Sequence, residues 1–234
     1  EMTNNTISIE YLKTHYSSFD IKIYNTENDI YVPLNLNKYI NLLENDLSSN
    51  YISLNNKDFI EETTINNILQ NTDLHLRPYY TSNIDNDIIF GSKNSYTNLK
   101  YNLDTRTFLY ILTGSIEITL CPPNYYKYLH VRKNYETLDF FSEIDIHDVS
   151  SIHLDNYNKV KFLHVSLKPN QLIYIPPYWF YSIKILSPDT ITFVNKYRTF
   201  INTMAIIPDM CMQLLQKHNI KYNLTKIIQP NLKY

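Results

Sequence analysis

A histidine and an acid with the spacing of a metal-binding motif occur at His153 and Asp155, and two further histidines lie nearby at His147 and His164. Imidazole nitrogens and one carboxylate form a common ligand set for non-haem ferrous iron. The same spacing also arises by chance in many sequences. The motif therefore admits a metal site, and it equally admits a solvent-facing pair in a connecting segment, with His147 and His164 as structural histidines.

Cations and aromatic rings elsewhere in the chain offer a second kind of chemistry, the binding of an anion without a metal. Lys100 and Arg106 are six residues apart and can bind a carboxylate or a phosphate. In the alternative interpretation Lys100 pairs with a buried acid such as Glu117, because buried charges are normally paired. Nearby aromatic residues either stack a base, cage a cation or fill the core. They are Tyr101, Tyr110, Tyr174, Tyr178, Trp179, Phe180 and Tyr181.

Composition limits the kind of protein that carries these residues. The chain has 234 residues, of which 44% are hydrophobic and 19% charged, and its formal net charge is −2. This length fits one domain with a large core, and the charge argues against a strong nucleic-acid or membrane binder. Two cysteines are too few for a disulfide framework, and residues 1–16 lack a signal-peptide pattern. We therefore expect an intracellular location, in cytoplasm or nucleus, or host cytoplasm or a virion for a viral source.

The elements that must position these residues are mostly strands. Alternation of apolar and polar residues predicts strands at 7–12, 19–25, 51–54, 87–91, 97–102, 107–113, 115–121, 160–167, 171–175, 179–186 and 190–197. Helical spacing predicts helices at 35–47 and 58–70, and an amphipathic helix within 199–218 that Pro208 interrupts. Residues 138–159 are interpreted as a long connection.

These elements predict a mainly β fold with helical additions in a single domain over residues 1–234. We expect an N-terminal α/β part at about 1–85, a barrel at about 86–198 and a C-terminal helical tail at about 199–234.

Two segments, residues 96–123 and 171–183, carry a series of short motifs. The motifs are Thr97-Asn98-Leu99, Gly114, Pro122-Pro123, Leu167-Lys168-Pro169, Ile173-Tyr174-Ile175-Pro176, Trp179 and Val194-Asn195. In this order they resemble the JmjC/cupin-like family of Fe(II)- and 2-oxoglutarate-dependent oxygenases. The resemblance spans about residues 33–218 and implies a double-stranded β-helix of the cupin or jelly-roll type.

The resemblance also implies where the metal ligands would stand. The family places a His-x-Asp motif on one strand, where alternation points both side chains the same way, and a distal histidine on another strand. Lys100, Asn102 and Tyr181 stand at these three positions. Unit charges about 4 Å apart interact by roughly 4 kcal/mol at an effective dielectric near 20, so a lysine here repels a metal cation. We therefore expect no catalytic residues, no cofactor and no metal at this site.

The positions that the resemblance assigns to 2-oxoglutarate are altered as well. The family lysine that pairs with the far carboxylate is replaced by Ile116, whereas Thr97 and Asn195 are retained. Together these changes predict a catalytically inactive homologue, a pseudoenzyme that acts as a binding or structural module.

Two alternatives remain open at this point. The first is a metal-free binder of a small molecule or modified nucleotide, with Arg106, Tyr110 and Trp179 as ligand-binding residues of the emptied pocket. The second is an active hydroxylase with a relocated triad that includes His153 and Asp155.

The expected partner is a protein or a second copy of the chain, bound through the apolar face of the C-terminal helix. A nucleic acid or modified nucleotide is the second candidate partner, and no membrane is expected.

Overall fold

Alternating apolar residues form thirteen strands in the part of the chain that the computed structural model describes, residues 7–26, 30–45, 50–65 and 73–222. The strands are β1 (Asp20–Asn25), β2 (Ile30–Asn35), β3 (Tyr51–Ser53), β4 (Thr81–Gly91), β5 (Lys100–Tyr101), β6 (Arg106–Thr113), β7 (Ile116–Cys121), β8 (Val131–Asn134), β9 (Asp139–Ser142), β10 (Leu163–Leu167), β11 (Leu172–Ile175), β12 (Phe180–Ile185) and β13 (Ile191–Thr199).

Most of the helical residues lie before β4 and after β13. The α-helices are α1 (Ile9–Tyr16), α2 (Leu36–Asn45), α3 (Lys57–Glu62), α4 (Leu154–Tyr157), α5 (Phe200–Ala205) and α6 (Ile207–Tyr222), and residues 73–76 are also helical. Short 3-10 helices lie at Pro123–Tyr128 and Ser151–His153. Pro208 lies in the first turn of α6, where its missing N–H leaves no hydrogen bond unmade, and α5 ends before it.

The strands form two antiparallel sheets. The first has seven strands in the order β11-β6-β13-β4-β3-β1-β2, and the second has six in the order β10-β7-β12-β5-β9-β8. This arrangement, with helices at the C-terminus, confirms the predicted mainly β fold of the cupin or jelly-roll type. The N-terminal strands β1–β3 join the same sheet as the strands of the predicted barrel.

Three apolar clusters hold the layers together. The cluster between the sheets contains Leu109, Ile111, Ile118, Ile183 and Val194 among others. A second cluster fills the space between the first sheet and α1–α3. A third cluster lies on the outer face of the second sheet and includes Ile206, which follows α5, and Met210 of α6. Successive side chains of each strand therefore point alternately to the inner face, between the sheets, and to the outer face.

The structure corrects three local predictions. Residues 7–12, predicted as a strand, lead into helix α1, because the Ser8 hydroxyl caps it by accepting the N–H of Tyr11 and because Leu12 and Tyr16 bury one helical face. The strand predicted at 97–102 is limited to Lys100–Tyr101. The predicted connection at 138–159 contains strand β9, which pairs with β5 and β8.

The predicted helices are recovered in part. Helix α2 lies within residues 35–47, and the side chain of Asn35 accepts the N–H of Asn37 at 3.1 Å. The helix predicted at 58–70 corresponds to α3 up to Glu62, and residues 66–70 lie outside the described residues. Within the described ranges, no helix is both long enough and apolar enough to cross a membrane.

We expect Gly114→Ala to destabilise the fold by about 2–4 kcal/mol. Gly114 has φ of 71°, a left-handed conformation that costs a residue with a side chain, and an added Cβ would lie 2.6 Å from the Cα of Thr190. Urea denaturation measures the change, with the exposed turn variant Lys93→Ala as the control. Equal unfolding midpoints for the two variants would contradict this account of the turn.

Candidate functional site

A row of paired residues crosses the inner face of the second sheet. Lys100 on β5 lies opposite Tyr181 on β12 and opposite Phe141 on β9, and Arg132 on β8 lies opposite Phe141. Residues directly opposite in adjacent antiparallel strands point to the same face. Tyr181 belongs to the cluster between the sheets, so the row Arg132, Phe141, Lys100 and Tyr181 faces the interior of the sandwich.

Asn102 and Tyr181 are joined by a hydrogen bond at the centre of this face. The amide nitrogen of Asn102 donates to the Tyr181 hydroxyl at 2.9 Å and to the Thr107 hydroxyl at 3.3 Å. Tyr181 is buried, with 2% of its surface exposed. The tyrosine and the asparagine therefore fill the position between β5 and β12 with a neutral contact.

Lys100 brings a positive charge to the same place. Burial lowers the pKa of its ammonium group, but Tyr181, Asp139 and Tyr31 more than offset burial and the nearby Lys196, so the pKa lies above its ordinary value. The side chain is therefore protonated at neutral pH. Among the described residues, no carboxylate lies within 4 Å of its ammonium group.

Glu117 is not the partner of Lys100, contrary to the sequence-based interpretation. It lies on β7 opposite Lys184, between Ile116 and Ile118, which both belong to the cluster between the sheets. Alternation along β7 therefore points Glu117 to the outer face of the second sheet.

A second cation on the inner face was missed by sequence reasoning. Lys196 on β13 lies opposite Asp85 on β4 and forms an ion pair with it at 3.2 Å. Asp85 is the main cause that raises the pKa of Lys196 against the lowering effect of burial. The signal was present in the alternation of β13, where Val194, Lys196 and Arg198 share one face.

The charges around Lys196 are matched by acids. Arg198 pairs with Asp104 at 3.0 Å. The buried Asp87 accepts the backbone N–H groups of Asn55 and Asn56 at 2.9 and 2.7 Å, and burial raises the pKa of its carboxyl group. This part of the inner face is therefore close to electrostatic balance.

Two adjoining cavities open beside these residues. The first, of about 480 Å³, is lined by Lys100, Thr97, Phe141 and Arg132 together with tyrosines of β1 and β2. The second, of about 930 Å³, is lined by Asn102, Lys196 and the two ion pairs that involve Asp85 and Asp104. Asp139 and Tyr31 line both cavities, and residues of α6 close one side of each.

Comparison with known families agrees with this geometry. The family model for the cupin-like domain matches residues 2–202 of the chain. The chain belongs to the cupin-like domain family. Comparison with curated proteins gives no match. The resemblance inferred from the motifs of the two core segments is thereby confirmed at the level of a cupin/JmjC-like family.

The residues of this cupin-like domain do not fit the ferrous ion that the JmjC-like resemblance implies. An iron site of this type needs two imidazole nitrogens and one carboxylate. The corresponding positions carry the protonated amine of Lys100, the amide of Asn102 and the hydroxyl of Tyr181, to which that amide donates. In the described part of the chain, no three His, Cys, Asp or Glu side chains come together in a group suited to a metal.

The three positions assigned to the cosubstrate do not converge in this cupin-like domain. The Thr97 hydroxyl accepts the N–H of Ile183 at 2.9 Å, and Ile116 is buried in the cluster between the sheets. Asn195 alternates with Val194 and Lys196, so it faces away from the cavities, where it donates to Asn86 at 2.9 Å.

The residues predicted to bind a pocket ligand lie in different places. Arg106 is exposed, and its alternation with Thr107 and Leu109 points it to the outer face of the first sheet. Tyr110 shares that outer face and donates to Asn170 at 3.0 Å. Trp179 packs against the cluster between the sheets, but neither cavity is lined by it.

The histidines of the predicted relocated triad are separate. Burial lowers the pKa of His147, whose Nε2 lies 3.2 Å from the Ser182 hydroxyl. Nδ1 of His164 lies 3.0 Å from the Thr119 hydroxyl. His153 contacts the ring of His130, and Asp155 is exposed on α4. The structure brings none of these pairs together with a third ligand among the described residues.

We expect Tyr181→Phe to lower the free energy of unfolding by about 1–2 kcal/mol, because it removes the hydroxyl that accepts the Asn102 amide inside the sandwich. Chemical denaturation measures the change. Tyr174→Phe is the matched control, because it also removes one tyrosine hydroxyl. Tyr174 is 45% exposed, so the loss of its hydroxyl leaves no buried donor unpaired. A Tyr181→Phe protein as stable as this control would show that the contact contributes nothing.

Proposed function

We propose that this cupin-like domain is a pseudoenzyme that binds partners without a metal and does not carry out iron-dependent oxidation. The observation that supports the proposal is the Asn102–Tyr181 hydrogen bond beside the protonated Lys100. The Asn102 amide donates one hydrogen to the Tyr181 hydroxyl oxygen, the atom that would otherwise be available to a metal, and another to the Thr107 hydroxyl. Lys196 adds a second positive charge on the facing sheet, although Asp85 balances it.

Electrostatics favours the same conclusion. A ferrous ion and an ammonium group about 4 Å apart repel each other by several kcal/mol even at an effective dielectric near 20. Deprotonating Lys100 to relieve this repulsion would itself cost free energy, since the surroundings raise its pKa. Tyrosine and asparagine oxygens do not supply the charge that the missing aspartate would supply.

We expect no Mn(II) or Fe(II) binding and no iron-dependent turnover of 2-oxoglutarate. Calorimetry with Mn(II) and anaerobic Fe(II), followed by a 2-oxoglutarate consumption assay, makes the measurement. The triple variant Lys100→His, Asn102→Asp, Tyr181→His restores the ligand types of the family, and we expect it to bind Mn(II) at least about tenfold more tightly than the wild type.

Stoichiometric Mn(II) binding by the wild-type protein would refute the proposal, as would 2-oxoglutarate consumption that depends on added iron. A folded triple variant with no gain in Mn(II) affinity would show that Lys100, Asn102 and Tyr181 do not mark the former metal position. Circular dichroism confirms that the variants fold.

A second copy of the chain is the partner that we propose for the C-terminal helices. Helices α5 and α6 expose large apolar side chains with exposed fractions between 45% and 73%, an unusual density for a monomer surface. These residues are Phe200, Ile201, Met204, Ile207, Met212, Leu214 and Leu215. A two-fold symmetric contact needs only one such patch, because each copy presents the same surface.

We expect the wild-type protein to be a dimer in solution and Ile201→Asp combined with Leu215→Asp to make it monomeric, because each aspartate would have to be buried without a partner. Light scattering after size exclusion measures the mass. Ile152→Asp is the matched control, since Ile152 is 84% exposed and belongs to the short 3-10 helix at Ser151–His153 rather than to α5 or α6. A monomeric wild type, or a dimer that the double variant leaves intact, would contradict the proposed contact.

Both cysteines are free, Cys121 in the core and Cys211 on the surface of α6. An exposed free thiol is typical of a reducing compartment, and it supports our proposal that the domain acts inside the cell.

A further inference from the structure

The first cavity differs from the second in its balance of charge. Lys100 and Arg132 line it from the inner face of the second sheet, whereas Lys133 pairs with Phe140 and alternates toward the outer face, and Asp139 is the one carboxylate in the lining. In the second cavity, by contrast, Lys196 and Arg198 each have an acid within ion-pair distance. Lys100 and Arg132 therefore outnumber the one carboxylate of the first cavity, and a half-buried cation such as Lys100 is normally balanced by an anion, whereas Arg132 is exposed at the rim.

The positions of Lys100 and Arg132 allow both to reach one ligand. They lie two strands apart in the same cross-strand row, with Phe141 between them. Adjacent strands are about 4.8 Å apart, so the two backbones are separated by about 10 Å. Both side chains are long enough to converge from there on one phosphate group above Phe141, and within the described ranges neither forms an ion pair.

Aromatic rings form the opposite wall of the same cavity. Tyr31 on β2 is 48% exposed, and its ring centroid lies 5.0 Å from that of Tyr24 on β1. Both tyrosines line the cavity that Lys100 and Arg132 line. An accessible ring that is held in place by a second ring is a suitable platform for a stacked base.

Size and polar groups narrow the class of ligand further. A volume of about 480 Å³ lies in the range of sites that hold a small molecule of nucleotide size. The amides of Asn98 and Asn134 also line the cavity, where the Asn98 amide donates to the Tyr24 hydroxyl and the Asn134 oxygen accepts the N–H of Glu136. The remaining hydrogens of these amides can pair with the edge of a base. A dicarboxylate such as 2-oxoglutarate would use the two cations but leave the tyrosine wall without a contact.

We propose that this cavity binds a mononucleotide unit, with the phosphate held by Lys100 and Arg132 and the base stacked on Tyr31. The inference rests on the proposed function, because the phosphate takes the place beside Lys100 that a metal would otherwise require. The same unit exists as a free nucleotide and as the 5′-phosphorylated end of a single-stranded RNA.

Calorimetry with purified full-length protein tests the proposal with nucleoside 5′-monophosphates, the matching nucleosides, inorganic phosphate, 2-oxoglutarate and a short 5′-phosphorylated single-stranded RNA. We expect at least one monophosphate to bind about tenfold or more tightly than its nucleoside and than inorganic phosphate, because both halves of the site contribute. Tighter binding of the RNA than of the free nucleotide would identify an RNA end as the source of the unit, and the reverse order would identify the free nucleotide.

Variants test separately the phosphate-binding cations, Lys100 and Arg132, and the base-stacking ring of Tyr31. We expect Lys100→Gln and Arg132→Gln each to weaken nucleotide binding by about tenfold, since each removes a charge-assisted hydrogen bond. Tyr31→Leu should weaken nucleotide binding by a similar factor and leave the response to inorganic phosphate unchanged. The matched controls Lys93→Gln and Arg106→Gln remove exposed cations outside the cavity and should bind like the wild type.

Three results would overturn the inference. The first is no binding of any monophosphate or of the RNA at about 1 mM ligand. The second is nucleotide binding no tighter than phosphate binding, which would indicate an anion site only. The third is nucleotide binding that Lys100→Gln and Arg132→Gln leave intact while ligand-free melting shows that both variants fold. Mn(II) calorimetry and the 2-oxoglutarate consumption assay on the same preparation distinguish this failure from that of the proposed function, which fails if the metal binds or if iron-dependent turnover is seen.

Discussion

A hydrogen bond between Asn102, the residue that follows β5, and Tyr181 on β12 joins two neighbouring segments on the inner face of the second sheet. An unpaired amide or hydroxyl inside the sandwich would cost about 1–3 kcal/mol, so these two side chains constrain each other. Lys100, directly opposite Tyr181, adds a charge that cannot be buried alone. The adjoining cavities are therefore a consequence of the polar groups, because an ammonium group is stabilised by access to water or to an anion.

The two sheets divide their polar residues in different ways. Lys196 on β13 pairs with Asp85 on β4, and Arg198 on β13 pairs with Asp104 in the loop before β6, so both cations of the first sheet are neutralised by an acid. On β5 and β8 the cations Lys100 and Arg132 form no ion pair among the described residues, and Asp139 is the one acid that lines their cavity. Because these cations are paired on the first sheet and, in the described part of the chain, unpaired on the second, the electrostatic potential is more positive beside the second sheet. An anionic ligand is therefore attracted to that wall of the interior.

Sequence reasoning recovered the parts of the fold that depend on a strict period of two. Strands β6, β7 and β10 to β13 follow alternation closely, and the spacing of two between Lys100 and Asn102 predicted that both share one face, whereas the position of Tyr181 on a different strand came from the resemblance to the JmjC/cupin-like family. The prediction was wrong on β13, where alternation was not used to decide which residues face the interior. Asn195 was assigned to the site, whereas its neighbour Lys196 is the residue that faces inward. Helix α1 was missed because the capping by Ser8 outweighs a short alternating stretch.

Helix α6 contributes Gln216 to the wall of the first cavity and Gln213 and Lys217 to the wall of the second, while Met212, Leu214 and Leu215 on the same helix face outward. Helix α6 therefore has one side that lines the two cavities and another side that carries exposed apolar residues. Any free energy that a ligand contributes to seating α6 is contributed equally to the surface that the helix displays, because linkage is reciprocal. If the proposed nucleotide binding and the proposed dimerisation both occur, the position of α6 would couple one to the other.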